Sequence, residues 1–146
     1  MLTLTQRLEA GIRATVSFTV SLTAQERTRT RHRYQAPDGQ HLYLRLPRGT
    51  ILHQGDLLQS ELGEVIVGIA AKPEPVLRVS ARHAVDLLRA AYHLGNRHVP
   101  LQVTPNYLRL SRDPVLQSML EQLGMEVQEE VAPFEPEIGA YRYGHS

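Results

Sequence analysis

Along the first half of the chain, apolar and polar side chains alternate in short stretches, which predicts strands. Thr15-Val16-Ser17-Phe18-Thr19-Val20 has the period of two that puts every second side chain on one face of a half-buried strand. Arg27–Tyr34 and His41-Leu42-Tyr43-Leu44-Arg45-Leu46 flank Ala36-Pro37-Asp38-Gly39-Gln40, whose Pro-Asp-Gly core predicts a turn between two strands. Further breaks fall at Pro47-Arg48-Gly49-Thr50 and Gln54-Gly55-Asp56. The apolar run Val65-Ile66-Val67-Gly68-Ile69-Ala70 suits a buried strand. No stretch here has a helical period, so residues 1–74 are expected to form a small all-β domain.

Lys72-Pro73-Glu74-Pro75 predicts a linker, because proline interrupts both helix and central strand. The period then changes. Val76–Val79 reads as a short strand, with Ser80 as the N-cap of a helix over 81–94. Ala84, Leu87, Leu88 and Ala91 form its apolar face, and Arg82, Asp86, Arg89 and His93 the polar one. Gly95 suits the left-handed position that closes such a helix. Val99, Leu101 and Val103 alternate in a strand, Pro105-Asn106 turns the chain, and Tyr107–Leu110 returns. Asp113-Pro114 is an N-cap followed by proline at the first helical position. Leu116, Met119, Leu120 and Leu123 line that second helix, Gly124 ends it, and Met125, Val127 and Val131 give a last strand. The order is βαββαβ, a ferredoxin-like domain over 75–146, so the chain as a whole is α+β. Its tail, from about 132 to 146, has no apolar period and is expected to be mobile.

Composition narrows the chemistry. With 146 residues, 42% hydrophobic, the chain can bury a core in one domain or two small ones. Cysteine is absent, which excludes disulfides, thiolate zinc sites and cysteine nucleophiles. The net charge of +1 argues against a general affinity for nucleic acid or membrane. No apolar run approaches a membrane span, and the start lacks the long apolar stretch of a signal peptide, so a cytoplasmic location is expected. Without cysteine, a transition-metal site has to use the 7 histidines and carboxylates.

There is no Gly-rich phosphate loop, no His-Glu-X-X-His helix and no Gly-X-Ser-X-Gly elbow, so an enzyme is not expected. Arg27, Arg29, Arg31 and Arg33 would share one strand face, a ladder suited to phosphate or carboxylate. A nucleic-acid or ribosome-binding β module using that ladder is the competing reading, although aromatic stacking partners are few. Among the histidines, His32, His41 and His53 are scattered in the β half, and His83 is one turn into the first helix without a partner. His93 and His98 are five apart, about 140° of helix rotation, and cannot chelate one ion from a single face. His98 projects from a loop between rigid elements, but one imidazole binds a divalent ion weakly.

The stretch Ala91-Tyr92-His93-Leu94-Gly95-Asn96-Arg97-His98-Val99-Pro100-Leu101-Gln102 closely resembles the signature of the UreE family, urease accessory proteins that act as nickel metallochaperones. Pro133-Phe134-Glu135-Pro136-Glu137-Ile138-Gly139-Ala140-Tyr141 resembles a second family motif at the expected distance. The resemblance covers essentially the whole chain. It implies a β-rich partner-docking domain followed by a ferredoxin-like metal-binding domain, with Ni(II) as cargo and carriage in place of catalysis. In that family the histidine ending Gly-Asn-Arg-His binds nickel, here His98, and meets its copy across the two-fold axis of a homodimer. A tail histidine completes the site in some members, which makes His145 the candidate. Zn(II) or Cu(II) suits the same imidazoles. The implied partners are the urease accessory GTPase and the urease apoprotein assembly complex, with neither nucleic acid nor membrane. Two departures stand out. The His-rich tail of some members is missing, and Ser111-Arg112-Asp113-Pro114 replaces the His-X-His pair that some carry.

Overall fold

The computed structural model describes residues 2–36 and 38–138. The chain divides into two compact units, Met1–Lys72 and Pro73–Ser146, each with its own hydrophobic core. No helix among the described residues is long and apolar enough to cross a membrane.

Among the described residues the first unit contains six strands: β1 (Leu2–Arg7), β2 (Phe18–Leu22), β3 (Arg31–Gln35), β4 (His41–Arg45), β5 (Leu57–Ser60) and β6 (Ile66–Ala71). They form one sheet in the order β2-β6-β5-β1-β4-β3, in which β1 pairs β4 and β2 pairs β6 in parallel. Alternation sets the faces: Leu42 and Leu44 of β4 are buried with Leu4, Val20, Leu22, Leu58, Val67 and Ile69. The turn joining β3 to β4 needs glycine at Gly39, whose φ is 89°. Strands β1 and β5 are additions to the sequence reading. The alternation of Leu2 and Leu4 does encode β1, whereas β5 has only four residues and begins with two adjacent leucines.

In the second unit, β7 (Glu74–Ser80), α1 (Ala84–Asn96), β8 (Gln102–Val103), β9 (Leu108–Ser111), α2 (Pro114–Gln122) and β10 (Glu126–Ala132) follow the expected βαββαβ order. The sheet runs β10-β7-β9-β8 with every neighbour antiparallel, the ferredoxin-like arrangement. Leu77, Val79, Leu108 and Leu110 point to one face and are buried with Ala90 and Leu94 of α1 and Leu120 of α2. Among the described residues the opposite face carries no helix.

Three local expectations change. Glu74 and Pro75 are not linker but the first residues of β7, where proline is tolerated near a strand start. Ser80 is not an N-cap: it pairs with Glu126 at the end of β7, and α1 starts after His83. Gly95 does not close α1, which continues to Asn96. At α2 the reading holds, with the Asp113 carboxylate accepting from the Val115 and Leu116 N–H groups at 2.9 and 3.0 Å.

Candidate metal centre

Both helices end in the same hydrogen-bond pattern. At α2, the Gly124 N–H donates to the Glu121 carbonyl and the Met125 N–H to that of Leu120. Gly124 takes a φ of 88°, as a Schellman cap requires. At α1, the His98 N–H donates to the Gly95 carbonyl (3.0 Å) and the Val99 N–H to that of Leu94 (3.1 Å). His98 therefore occupies the position that Gly124 holds in α2. Its φ is 60°, the only left-handed non-glycine residue among the described ones. Glycine removes the Cβ penalty at such a cap, and a histidine there retains it. Burial of Leu94 and partial burial of Val99 in the core hold the turn in place.

His98 is exposed. It lines a shallow cavity of about 280 Å³ with Val99, Pro100, Ser111, Arg112, Asp113 and Leu116. The polar groups opposite are already engaged: Asp113 caps α2, and Arg112 pairs with Glu129 at 3.1 Å. Among the described residues no group of three or more His, Asp or Glu side chains is placed to hold a metal ion. Among the described residues His98 thus stands as a single imidazole at this place. His145 lies outside the described residues.

The other histidines are dispersed. His93 is exposed in the last turn of α1, its ring edge-on to Tyr92 at 5.5 Å between centroids. His83 precedes α1 as its N-cap residue and is not one turn inside it. In the first unit, His32 packs edge-on against Tyr34, and the His53 N–H donates to Asp56 at 2.8 Å.

The arginine ladder does not form. Arg27 lies in a single 3-10 turn, Glu26–Thr28, and is 2% exposed. Its Nε and Nη1 donate to the Leu22 and Leu52 carbonyls. Arg29 follows that turn, leaving only Arg31 and Arg33 exposed on β3. A four-rung phosphate contact is thereby lost, and with it the main support for a nucleic-acid module. The same turn shapes Tyr34, whose hydroxyl donates to the Glu26 carbonyl at 3.1 Å. Burial, reinforced by the Glu26 charge, pushes that phenol up to about 12.

Two features escaped the sequence reading. Helix α1 is apolar on two faces: Leu87, Ala90, Ala91 and Leu94 face the core, while Val85, Leu88 and Tyr92 stay 49, 70 and 69% exposed. Leu88 thus belongs to the outer stripe and not to the core face; its spacing fits both, and only the sheet position decides. The second feature is the segment after β10. Phe134 is buried, and residues 133–137 are hydrogen-bonded to β8, β9 and Leu101, so the expectation of a mobile tail fails from 132 to 138. One of only two phenylalanines, set between two prolines, was the available signal.

Residues 4–71 match the UreE urease accessory protein N-terminal domain, and residues 74–146 the C-terminal domain of the same family. A urease accessory protein UreE from Nostoc punctiforme is 57% identical over 145 residues, covering 99% of this chain and 98% of the relative. One from Microcystis aeruginosa is 56% identical over 151 residues, covering 99% and 95%. One from Burkholderia lata is 45% identical over 150 residues, covering 99% of this chain and 72% of that longer protein.

Proposed function

The chain belongs to the UreE family of urease accessory proteins, and from that premise we propose that it carries Ni(II) to the urease active site during assembly. As an accessory protein it is a chaperone for urease maturation and not an enzyme. The observation that carries the nickel reading is His98: an exposed imidazole at a helix cap where glycine is the unstrained choice. A residue kept there against backbone preference is explained by what its side chain does.

One imidazole is too few, and a homodimer remedies this, since a two-fold axis through the site doubles every ligand. The exposed stripe Val85-Leu88-Tyr92, spaced three and four along α1, supplies an apolar surface that a second copy would cover. Ni(II) then sits between two His98 side chains, and His145 from the end of the chain adds a further nitrogen. Water fills the remaining positions, so an incoming ligand can attach before an old one leaves. Zn(II) and Cu(II) fit the same donors and compete for them. Transfer runs in the cytoplasm to the urease accessory GTPase and the apoprotein complex, with the first unit as the docking domain.

Nickel calorimetry with sedimentation tests this. His98→Ala should lose the tightest Ni(II) site and remain a dimer, whereas Leu88→Asp should sediment as a monomer and lose the site as well. Tight binding that survives His98→Ala would remove His98 from the centre.

A further inference from the structure

Strand β3 is an open edge of the first sheet, and we propose that an extended acidic segment of a partner protein adds to it as a further strand, pairing with Arg31, Arg33 and Gln35. The inference deepens the docking role given to the first unit above.

Register decides which backbone groups face outward. β3 pairs β4 antiparallel, with Arg31 opposite Arg45, Arg33 opposite Tyr43 and Gln35 opposite His41. Just beyond the strand ends, the Leu46 N–H donates to the Thr30 carbonyl at 2.9 Å and the Ala36 N–H to the Gln40 carbonyl at 2.8 Å. Hydrogen-bonded pairs alternate along an antiparallel ladder, so His32 and Tyr34 turn their backbone groups to β4 as Thr30 and Ala36 do. Those of Arg31, Arg33 and Gln35 turn away from it. β3 ends the strand order β2-β6-β5-β1-β4-β3, and among the described residues nothing bonds to these outward groups. They form a template for one more strand.

The side chains select its charge. Arg31, Arg33 and Gln35 are exposed, and they share a sheet face with His41, Tyr43 and Arg45 of β4. Arg45 is held by Glu61 at 2.8 Å, whereas Arg31 and Arg33 have no carboxylate partner among the described residues. Beside Arg33 lies a hollow of about 440 Å³, lined also by Gly39, Gln40 and His41. The residues between the arginines face the other way: the His32 and Tyr34 rings meet edge-on at 4.5 Å and are half-buried. A matching strand therefore sets carboxylates at every second position against the arginines, and apolar side chains between them against the two rings.

Charge also narrows the choice of occupant. Arginines guard an edge against its own kind, because two β3 strands laid side by side would oppose like charges. An acidic strand removes that repulsion and brings the two guanidinium groups the partners they lack. Nucleic acid fits less well, since it supplies phosphates but no strand backbone to complete the ladder.

The test uses the full chain and a fluorescent peptide, Val-Glu-Val-Glu-Val-Glu-Val, followed by anisotropy. The peptide should bind, release with added salt, and slow amide exchange at Arg31, Arg33 and Gln35. A peptide of the same composition with its glutamates in one block should bind about tenfold more weakly. Joint Arg31→Glu and Arg33→Glu substitution should cost the original peptide at least as much and admit the lysine counterpart, Val-Lys-Val-Lys-Val-Lys-Val. Should that variant fail to fold, Arg31→Gln with Arg33→Gln, neutral at exposed positions, should show a smaller loss in the same direction. Backbone pairing has its own readout. In a strand the residues on one face also share one edge, so of two peptides N-methylated at the glutamates or at the valines, one should lose binding and the other keep it. Absence of binding, binding that leaves the three amides exchanging freely, equal affinity for the block peptide, or tolerance of both methylation patterns would overturn the proposal. So would an oligonucleotide of equal charge that protects the same amides more strongly. Nickel titration keeps the two readings apart: where His98→Ala abolishes the nickel site, a failed peptide leaves the carrier reading standing, and a site indifferent to His98→Ala defeats that reading whatever the peptide does.

Discussion

Replacing His98 by glycine should make the second unit more stable while removing the proposed nickel ligand. The residue sits at φ 60° on a Schellman cap, exposed, and no hydrogen bond from its side chain is present among the described residues. The left-handed conformation costs a residue with a Cβ about 1–2 kcal/mol. Glycine escapes that penalty but loses about 0.4–1 kcal/mol more chain entropy on folding. The difference leaves about 0.5–1 kcal/mol in favour of His98→Gly. His98→Ala keeps the Cβ and should lie within about 0.5 kcal/mol of the wild type. Urea denaturation of the three metal-free proteins, followed by circular dichroism at a helical wavelength, isolates this unit, because α1 and α2 both belong to it. The glycine variant should unfold at higher urea with an unchanged slope. In thermal melts the gain corresponds to about 3–6 °C for a domain of this size. Both variants should lose the nickel site. A glycine variant no more stable than the alanine one would refute the claim that the cap is strained, and with it the argument that the imidazole is kept for its chemistry.

The remaining expectations concern the scaffold. Arg27→Ala should destabilise the first unit by about 2–4 kcal/mol, since it removes two charge-assisted bonds from a buried site, whereas Arg33→Gln on exposed β3 should stay within about 0.5 kcal/mol by chemical denaturation. Asp113→Ala should cost α2 about 1 kcal/mol and Asp113→Asn much less, because only the first loses the acceptor for Val115 and Leu116. Tyr34, raised from 10.0 to about 12, binds its proton more tightly folded than unfolded, so its contribution is intact below pH 10 and is lost as pH rises toward 12. Tyr34→Phe should flatten that alkaline decline in melts taken across the range; an unchanged slope would deny Tyr34 the effect.

Short-range chemistry made much of the molecule legible. Asp113-Pro114 and Gly124 delimit α2 because cap and φ preferences act over three or four residues. The alternation in β4 and the Pro-Asp-Gly turn before it act over a similar range. The βαββαβ order followed from such signals, and the family from two contiguous motifs.

What the sequence left open was decided by contacts between distant segments. Arg27 continues a pattern of alternate arginines, yet carbonyls at Leu22 and Leu52 draw it inward, because a buried guanidinium must find acceptors wherever the fold supplies them. Leu88 matches the spacing of either helix face, and the position of the sheet alone assigns it to the outside. Phe134 lacks any periodic neighbours, and it is buried in a segment whose place is set by hydrogen bonds with Arg109, Gln102 and Leu101, all distant in sequence. His98 shows both levels at once. Its motif is what brings it into the proposed nickel site, but its left-handed backbone exists because Leu94 and Val99 are anchored in the core on either side of it. Period and capping reach one turn along the chain, whereas the pairing of β7 with β10, from Ser80 and Glu126 to Glu74 and Ala132, satisfies backbone groups far apart in sequence, and only the folded sheet decides it.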